Sequence, residues 1–513
     1  MRNPGRDAEL GHRIRYYRSL MSSSPNTPST PPPTPEDREF GPREQLAIWV
    51  LLGSAFVVIL NETIMGVALP QLMRDLGITA VAGQWLTTAF LLTMSVVIPI
   101  TGMLIQRVKT RALFITAMSL FTTGTLIAAM APGFPVLLLG RVVQASGTAI
   151  MMPLLMTTVI TLVPPSQRGR LMGRIAIVIS VAPALGPTVS GLILQVLTWR
   201  WLFLIVLPIA ALALVLGALR LPNVGEQRFV RVDLASVLLS VIAFGGLVYG
   251  LSLVGESANG PTAIAPWIPV VIGSIGLVLF VWRQLHLQRE DQALLDLRTF
   301  RSRPFALSVV LFTFSSMALF GSLILVPIYA QNVLGYDTLE TGLILLPGGL
   351  LMGLLGPTVG RIVDTRGARI VLIPGTIVAA IALWGMALFT DTTQLWQVLA
   401  THVLLSIGLA GIFTPLFSVS LGSLRPQLAS HGSAMISTVQ QVAGAAGTAL
   451  FVTVMTLVST HVAGAPEAVD EHALAAGTRA AFMLGGVAAT VGVLVSFFVR
   501  DAPPVPESVT PAR

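Results

Sequence analysis

The sequence predicts an all-α polytopic membrane protein, and three observations lead there. Of 513 residues, 54% are apolar and only 11% charged, where soluble domains carry roughly a quarter charged. Apolar segments of about 20 residues recur along the whole chain, the length that takes a helix across ~30 Å of hydrocarbon. Nearly every Asp and Glu can be placed in a tail, a loop or a helix end.

Taken in order, residues 1–46 hold no apolar core of a signal peptide. The run from Ser22 to Pro35 is rich in Pro, Ser and Thr, the composition of a disordered tail. Fourteen spans are expected next, at 47–69, 82–105, 112–131, 135–161, 171–196, 201–220 and 234–254. The series continues at 265–282, 306–329, 339–359, 369–389, 397–419, 434–457 and 479–499. Residues 500–513 form a second tail. An even number of spans puts both termini on one side, and basic residues choose it. With the N-terminus inside, the inner loops and margins hold 18 Arg and Lys, the outer ones only Arg74, Arg200 and Arg479. That bias predicts cytoplasmic termini and a multi-pass protein of the cell membrane.

A repeat organises the spans. Gly102 to Arg111 and Gly360 to Arg369 are two short basic loops whose glycines lie 258 positions apart, and internal repeats are typical of transporters. The parse is an N-terminal six-helix half (47–220), two extra helices (234–282), a cytoplasmic linker (283–305) and a C-terminal six-helix half (306–499). The linker, with Arg289, Glu290, Asp291, Asp296, Arg298, Arg301 and Arg303, reads as a solvated stretch on the membrane surface. The outer loop 459–478 reads as flexible and exposed.

Composition also excludes. The chain has no Cys, which removes thiolate catalysis and thiolate metal sites. Its one lysine, Lys109, follows no Gly-rich phosphate loop, so no ATP motor of that kind is expected. The net charge of +8 follows membrane topology rather than nucleic-acid binding. The histidines, His12, His286, His402, His431, His461 and His472, show no metal spacing. No metal, no other cofactor and no enzymatic activity are expected; the partners are the bilayer, a small-molecule substrate and protons.

Two charges fall deep within spans. Glu62 lies roughly 12 Å, and Arg141 roughly 10 Å, below the outer boundary, so each is the other's best partner by sign and depth. A carboxylate in hydrocarbon is costly and marks a substrate or ion pathway by default. The pair is either a structural tie or a proton-coupling site, in which proximity to Arg141 favours charged Glu62 and separation with desolvation favours the neutral acid. Pro183, Gly186, Pro187 and Gly191 make the fifth span a shaped or bending helix with close backbone approach; ordinary small-residue packing is the alternative. Trp199 and Trp201 suit an interfacial belt. Trp85, Thr88, Phe413, Phe417, Gln440 and Gln441 lie in spans and are candidates for a substrate cavity, or simply packing.

With these residues in view, nearly everything from about 45 to 500 resembles the major facilitator superfamily (MFS), and within it the fourteen-helix drug:proton antiporters of the EmrB/QacA type. The helix 1 pattern L-D-x-T-I-V-N-V-A-L-P is matched from Leu60 to Pro70, with Asn61 at the Asp position and the carboxylate one place on, at Glu62. The resemblance implies that Arg141, with Gln144 three residues later, takes part in proton transfer. It also implies that Pro183, Gly186, Pro187 and Gly191 form the antiporter motif, a sign of export. The loops with Gly102 and Arg107, and with Gly360, Asp364, Gly367 and Arg369, would latch the two halves at the inner face; Gln106 replaces the usual Asp of the first. The implied function is proton-coupled export of hydrophobic small molecules, cationic ones among them, by alternating access (multidrug efflux). A symporter or uniporter for a metabolite or lipid-like compound is the alternative.

Overall fold

Long α-helices follow one another through a computed structural model that describes residues 41–78, 80–223, 233–257, 262, 264–465 and 468–499. Helices α1 Pro42–Leu76, α2 Ala80–Arg107, α3 Thr110–Ala129, α4 Phe134–Leu162 and α5 Pro165–Val196 come first. Two segments, Trp201–Leu204 and Val206–Arg220, continue each other as α6. The pieces Leu234–Ser240, Val241–Gly245 and Gly246–Ser257 run on as α7, the middle one a π-type turn. Then come α8 Trp267–Leu287, α9 Arg303–Asn332, α10 Thr338–Arg366, α11 Arg369–Met386, α12 Leu395–Gly422, α13 Ala429–Ala463 and α14 Glu471–Ser496. Thirteen spans among the described residues are long and apolar enough to cross a membrane, and α5 adds the shorter apolar run Val181–Val196 behind its basic first turns.

Local chemistry sets the helix ends. Pro42 leads α1 and Ser302 caps α9, where Pro304 lies in the first turn; a missing N–H costs nothing there. Asp337 and Glu340 form a reciprocal capping box on α10, satisfying two otherwise orphaned donors. Gly367, at φ +85°, closes the same helix, a backbone conformation that side-chain-bearing residues avoid.

Glycines let helices touch backbone to backbone, the mode membrane bundles use where lipid removes the hydrophobic drive. In the N-terminal half a Cβ on Gly124 would lie 2.4 Å from the Gln144 nitrogen; in the C-terminal half one on Gly375 would lie 2.8 Å from the Gly411 carbonyl carbon. The two six-helix halves meet along α5–α10 and α2–α13, and α7 packs beside the second seam with α8 outside it. Outward faces are apolar: Val278 and Trp282 of α8 and Leu219 of α6 are each about two-thirds exposed. Such faces suit lipid, not water.

A polar brace fixes the extra pair. Arg283 Nε and Nη2 donate to Asp233 at 2.6 and 2.7 Å, Ser236 donates to the same carboxylate, and Gln284 Nε2 donates to Ser236 at 2.8 Å. Gln284 Oε1 in turn accepts from the Leu294 and Leu295 amides. The Arg283 hydrogen bonds hold the Asp233 carboxyl well below the usual carboxylate range. A depressed carboxylate stabilises above its unfolded pKa and loses that contribution only as pH falls through the folded value. Asp233→Asn should therefore lower thermal stability by on the order of 1–3 kcal/mol, equally across the neutral range. Melting curves in detergent from pH 5 to 8 check this.

Several expectations shift. The tails lie outside the described residues except for 41–46, where α1 has already begun at Pro42. The linker is shorter, 288–302, and not loosely solvated: Leu294 and Leu295 are buried, and Arg298 is held by Asp291 and by Asp296. Most of 459–478 is helical, because α13 runs to Ala463 and α14 starts at Glu471. Trp199 is no interfacial belt residue: it is fully buried, edge-on to Phe203, with Arg200 stacked 4.3 Å over it. Trp201, 43% exposed, keeps that role open.

Candidate translocation site

Arg141 is completely buried, and a buried guanidinium needs acceptors for five N–H donors. Its Nη1 donates to Gln144 Oε1 at 2.7 Å, one helical turn on, and to Asn61 Oδ1 of α1 at 3.3 Å. Gln144 Nε2 passes the chain to Thr125 Oγ1 of α3 at 2.7 Å, and Thr125 donates to the Phe121 carbonyl. The guanidinium carbon sits 4.1 Å over the Phe90 ring of α2, a cation–π contact strengthened by desolvation. Nε and Nη2 have no hydrogen-bond partner among the described residues.

The acceptor from α1 is therefore Asn61, not Glu62. No ion pair within 4.0 Å joins Arg141 to Glu62, although the two charges act on each other through space. One residue turns a helix by ~100°, so in this conformation α1 turns Asn61, and not Glu62, to the guanidinium. Asn61 is buried at 1% exposure while Glu62 keeps partial exposure. The arrangement holds a cation with two spare donor nitrogens beside a carboxylate that no described residue pairs.

The fifth helix locks α1 here. α5 runs as continuous helix through Pro183 and Pro187. A Cβ on Gly186 would lie 2.1 Å from Thr63 Oγ1, one residue beyond Glu62. The other side of α5 faces the C-terminal half: a Cβ on Gly342 of α10 would stand 3.1 Å from Thr188 Oγ1, and one on Gly191 4.0 Å from Leu339. The proline- and glycine-rich stretch thus touches the Glu62 segment and the opposite half at once.

Both basic loops reach across. Gln106 Nε2 lies 2.9 Å from Ser430 Oγ and 2.6 Å from His431 Nε2, at the start of α13. A Cβ on Gly102 would lie 3.1 Å from Ala434. In the second loop Asp364 accepts from the Arg170 amide at the start of α5, at 2.7 Å, where the helix dipole favours an anion. Arg369 donates to the Phe497 carbonyl. Gly360 is buried within α10, and Arg107 ends α2. Gln106 reaches its partners as a neutral amide, without the carboxylate.

The cavity candidates divide. Phe413 and Phe417 are buried at 1–2% exposure against Phe312 of α9, with ring centroids 5.8 and 4.7 Å away. They fill the C-terminal half rather than line an opening, because three aromatic rings pack together there. Trp85 turns to Tyr249 of α7, centroids 5.6 Å apart, at the flank. Thr88, Gln440 and Gln441 are partly exposed, and Gln441 reaches Met94 of α2 at 3.3 Å. Sequence reasoning missed Thr125, Phe90 and Thr63, which carry no motif; only helix packing brings them to Arg141 and Glu62.

A lipid-facing bundle in two halves, with one buried polar cluster beside the seam between them, defines a multi-span membrane transport protein. The profile of the Major Facilitator Superfamily matches residues 51–448, and the chain belongs to that family. It is 41% identical, over 91% of its length and 97% of the relative's, to the Bacillus subtilis (strain 168) protein called uncharacterized MFS-type transporter YcnB. It is 40% identical to the lincomycin resistance protein LmrB of Listeria monocytogenes serovar 1/2a, covering 88% of this chain and 96% of that one. Among solved structures, the human organic anion transporter MFSD10 has a TM-score of 0.61 at 16% identity, covering 89% of this chain and 100% of that one. The proton:xylose symporter XylE gives 0.61 at 15%, covering 89% and 96%. These two likenesses are of fold alone.

Proposed function

We propose that the protein is a proton-coupled antiporter that exports hydrophobic small molecules across the cell membrane. The fourteen helices among the described residues support a reading as an EmrB/QacA-type antiporter, with the basic loops and both termini cytoplasmic. The observation that carries the reading is the divided cluster: Arg141 bonded to Asn61 and Gln144 with two donors to spare, and Glu62 unpaired beside it. The names of relatives such as the lincomycin resistance proteins support drug-like cargo.

The mechanism follows from where the seam is closed. Contacts of Gln106 with Ser430 and His431, of Asp364 with Arg170, and of Ser433 with the Pro153 carbonyl seal the basic end. With that end closed, partly exposed Glu62 loads its proton from the opposite, extracellular side in this reading. Protonated, Glu62 exerts no pull on Arg141, which rests on Asn61. When the halves rock and Glu62 meets the cytoplasm it releases the proton, and the carboxylate recruits the spare Nε and Nη2 donors. Pairing favours the charged form, which drives the release. Gly186 against Thr63 makes α5 the element that turns α1 as the halves move.

Purified protein in proteoliposomes tests this. Adding lincomycin or a panel of hydrophobic compounds should release protons, and an inward proton gradient should drive the exported compound the other way. Flux without proton movement, or in the same direction as the protons, overturns the antiport reading.

A further inference from the structure

One titratable side chain buried deep in a span has no part in the site described above: His402 of α12, 7% exposed. It stands seven residues beyond Leu395, where α12 starts, as Arg141 stands seven beyond Phe134, where α4 starts. His402 follows Arg141 by 261 positions, and Gly408 follows Gly147 by the same 261. Those glycines do equivalent work. A Cβ on Gly147 would lie 2.3 Å from the Ala117 oxygen of α3, and one on Gly408 2.5 Å from the Ala379 nitrogen of α11. The α4–α3 and α12–α11 contacts therefore match, and His402 occupies in the C-terminal half the place Arg141 holds in the N-terminal half. Both lie roughly 10 Å from the end opposite the basic loops.

The ring has a seat on α10. A Cβ on Gly348 would lie 2.6 Å from His402 Cδ2 and 2.8 Å from Nε2, so only glycine leaves the imidazole its space. Its Nδ1 is buried without a hydrogen-bond partner. With the ring proton on Nε2, the neutral imidazole keeps its lone pair on Nδ1. Ser406 does not satisfy it, since its hydroxyl donates to the His402 carbonyl at 2.9 Å. Titratable and charged groups on the elements packed against α12 stand towards helix ends: Arg303 and Tyr329 on α9, Asp337, Glu340, Arg361, Asp364 and Arg366 around α10, Arg369 on α11, His431 and His461 on α13, and Arg170 and Arg174 on α5. A buried acceptor with no donor is a cost that packing alone does not explain, and ionisable groups at membrane depth mark proton relays.

We propose that His402 is a second proton-carrying residue of the transport cycle, binding its proton on Nδ1 when the packing of α10 against α12 loosens as the halves rock. The proton comes from water on one side and returns to water on the other; no other bond changes. This rests on the proton-coupled reading above.

The test is the substrate gradient at static head in proteoliposomes with the membrane potential clamped. Lincomycin is the probe, or ethidium if wild-type vesicles do not move lincomycin. Each proton exchanged is worth about tenfold in gradient per unit of ΔpH. His402→Gln keeps a polar side chain in place of the ring but loses the titratable nitrogen, so its gradient should fall about tenfold per pH unit. His402→Asn, which places an oxygen near Nδ1, should fall equally and serves if the first variant does not fold. A His402→Gln or His402→Asn gradient equal to wild type overturns the inference while leaving a ΔpH-sensitive wild type, and the antiport reading, intact. A wild-type gradient indifferent to ΔpH, or absent for both probes, overturns the antiport reading and this inference with it.

Discussion

Glu62→Gln is expected to fold normally and to lose proton-driven efflux by at least about 100-fold. The amide keeps the size of the side chain and removes only the titration. Nothing in the described structure leans on the carboxylate: Arg141 takes its bonds from Asn61 and Gln144, so that cluster should survive. Efflux of a neutral compound by Glu62→Gln, driven by an imposed pH gradient as strongly as in the native protein, would sink the assignment. Geometry also predicts a rescue. Asn61 Oδ1 already stands 3.3 Å from Arg141 Nη1, so Asn61→Asp in the Glu62→Gln background puts a carboxylate in direct reach of the cation. The double variant should recover pH-driven transport, with a lower apparent protonation pH than the native protein, because a directly paired carboxylate holds its charge more firmly. Transport assayed across external pH distinguishes the three forms.

Gly173→Leu should be equally severe, by a different route. A Cβ at Gly173 would lie 2.0 Å from the Gly356 carbonyl oxygen, a backbone atom in a helix that cannot swing aside. The contact lies on the α5–α10 seam, near the Asp364–Arg170 closure. A leucine there wedges the halves apart at the basic end and forbids the sealed conformation. Transport should fall at least about 100-fold, as expected when one of two alternating states is removed. The native chain has no Cys, so a single reporter, Ser430→Cys, can be labelled without background. Labelling from the cytoplasmic side should be slow in the reporter alone and rapid with Gly173→Leu added. Slow labelling in both would show that the seam tolerates the wedge.

Much of the architecture was legible because a bilayer imposes strong rules. Twenty apolar residues make a span, and small residues make helix contacts; the described residues hold fourteen long helices close to the expected places. Misreadings came where helix ends and loops obey local chemistry instead. The capping Asp470 shortens a loop expected to be long, and Gln284 ties the linker down. Trp199 looks like an interfacial tryptophan in sequence, yet packing with Phe203 and Arg200 buries it.

For the site, the sequence by itself determined the inventory: a carboxylate and a guanidinium at similar depth, a proline- and glycine-rich fifth helix, and two related basic loops. It could do so because burying charge in hydrocarbon is costly enough that each instance stands out. Only the tertiary structure decided which partners meet. Asn61 and Glu62 are adjacent letters but point ~100° apart, and the packing of α1 against α4 and α5 selects Asn61 for Arg141. The same holds for His402, one histidine among six, whose likeness to Arg141 appears only when the helix contacts of the two halves are compared.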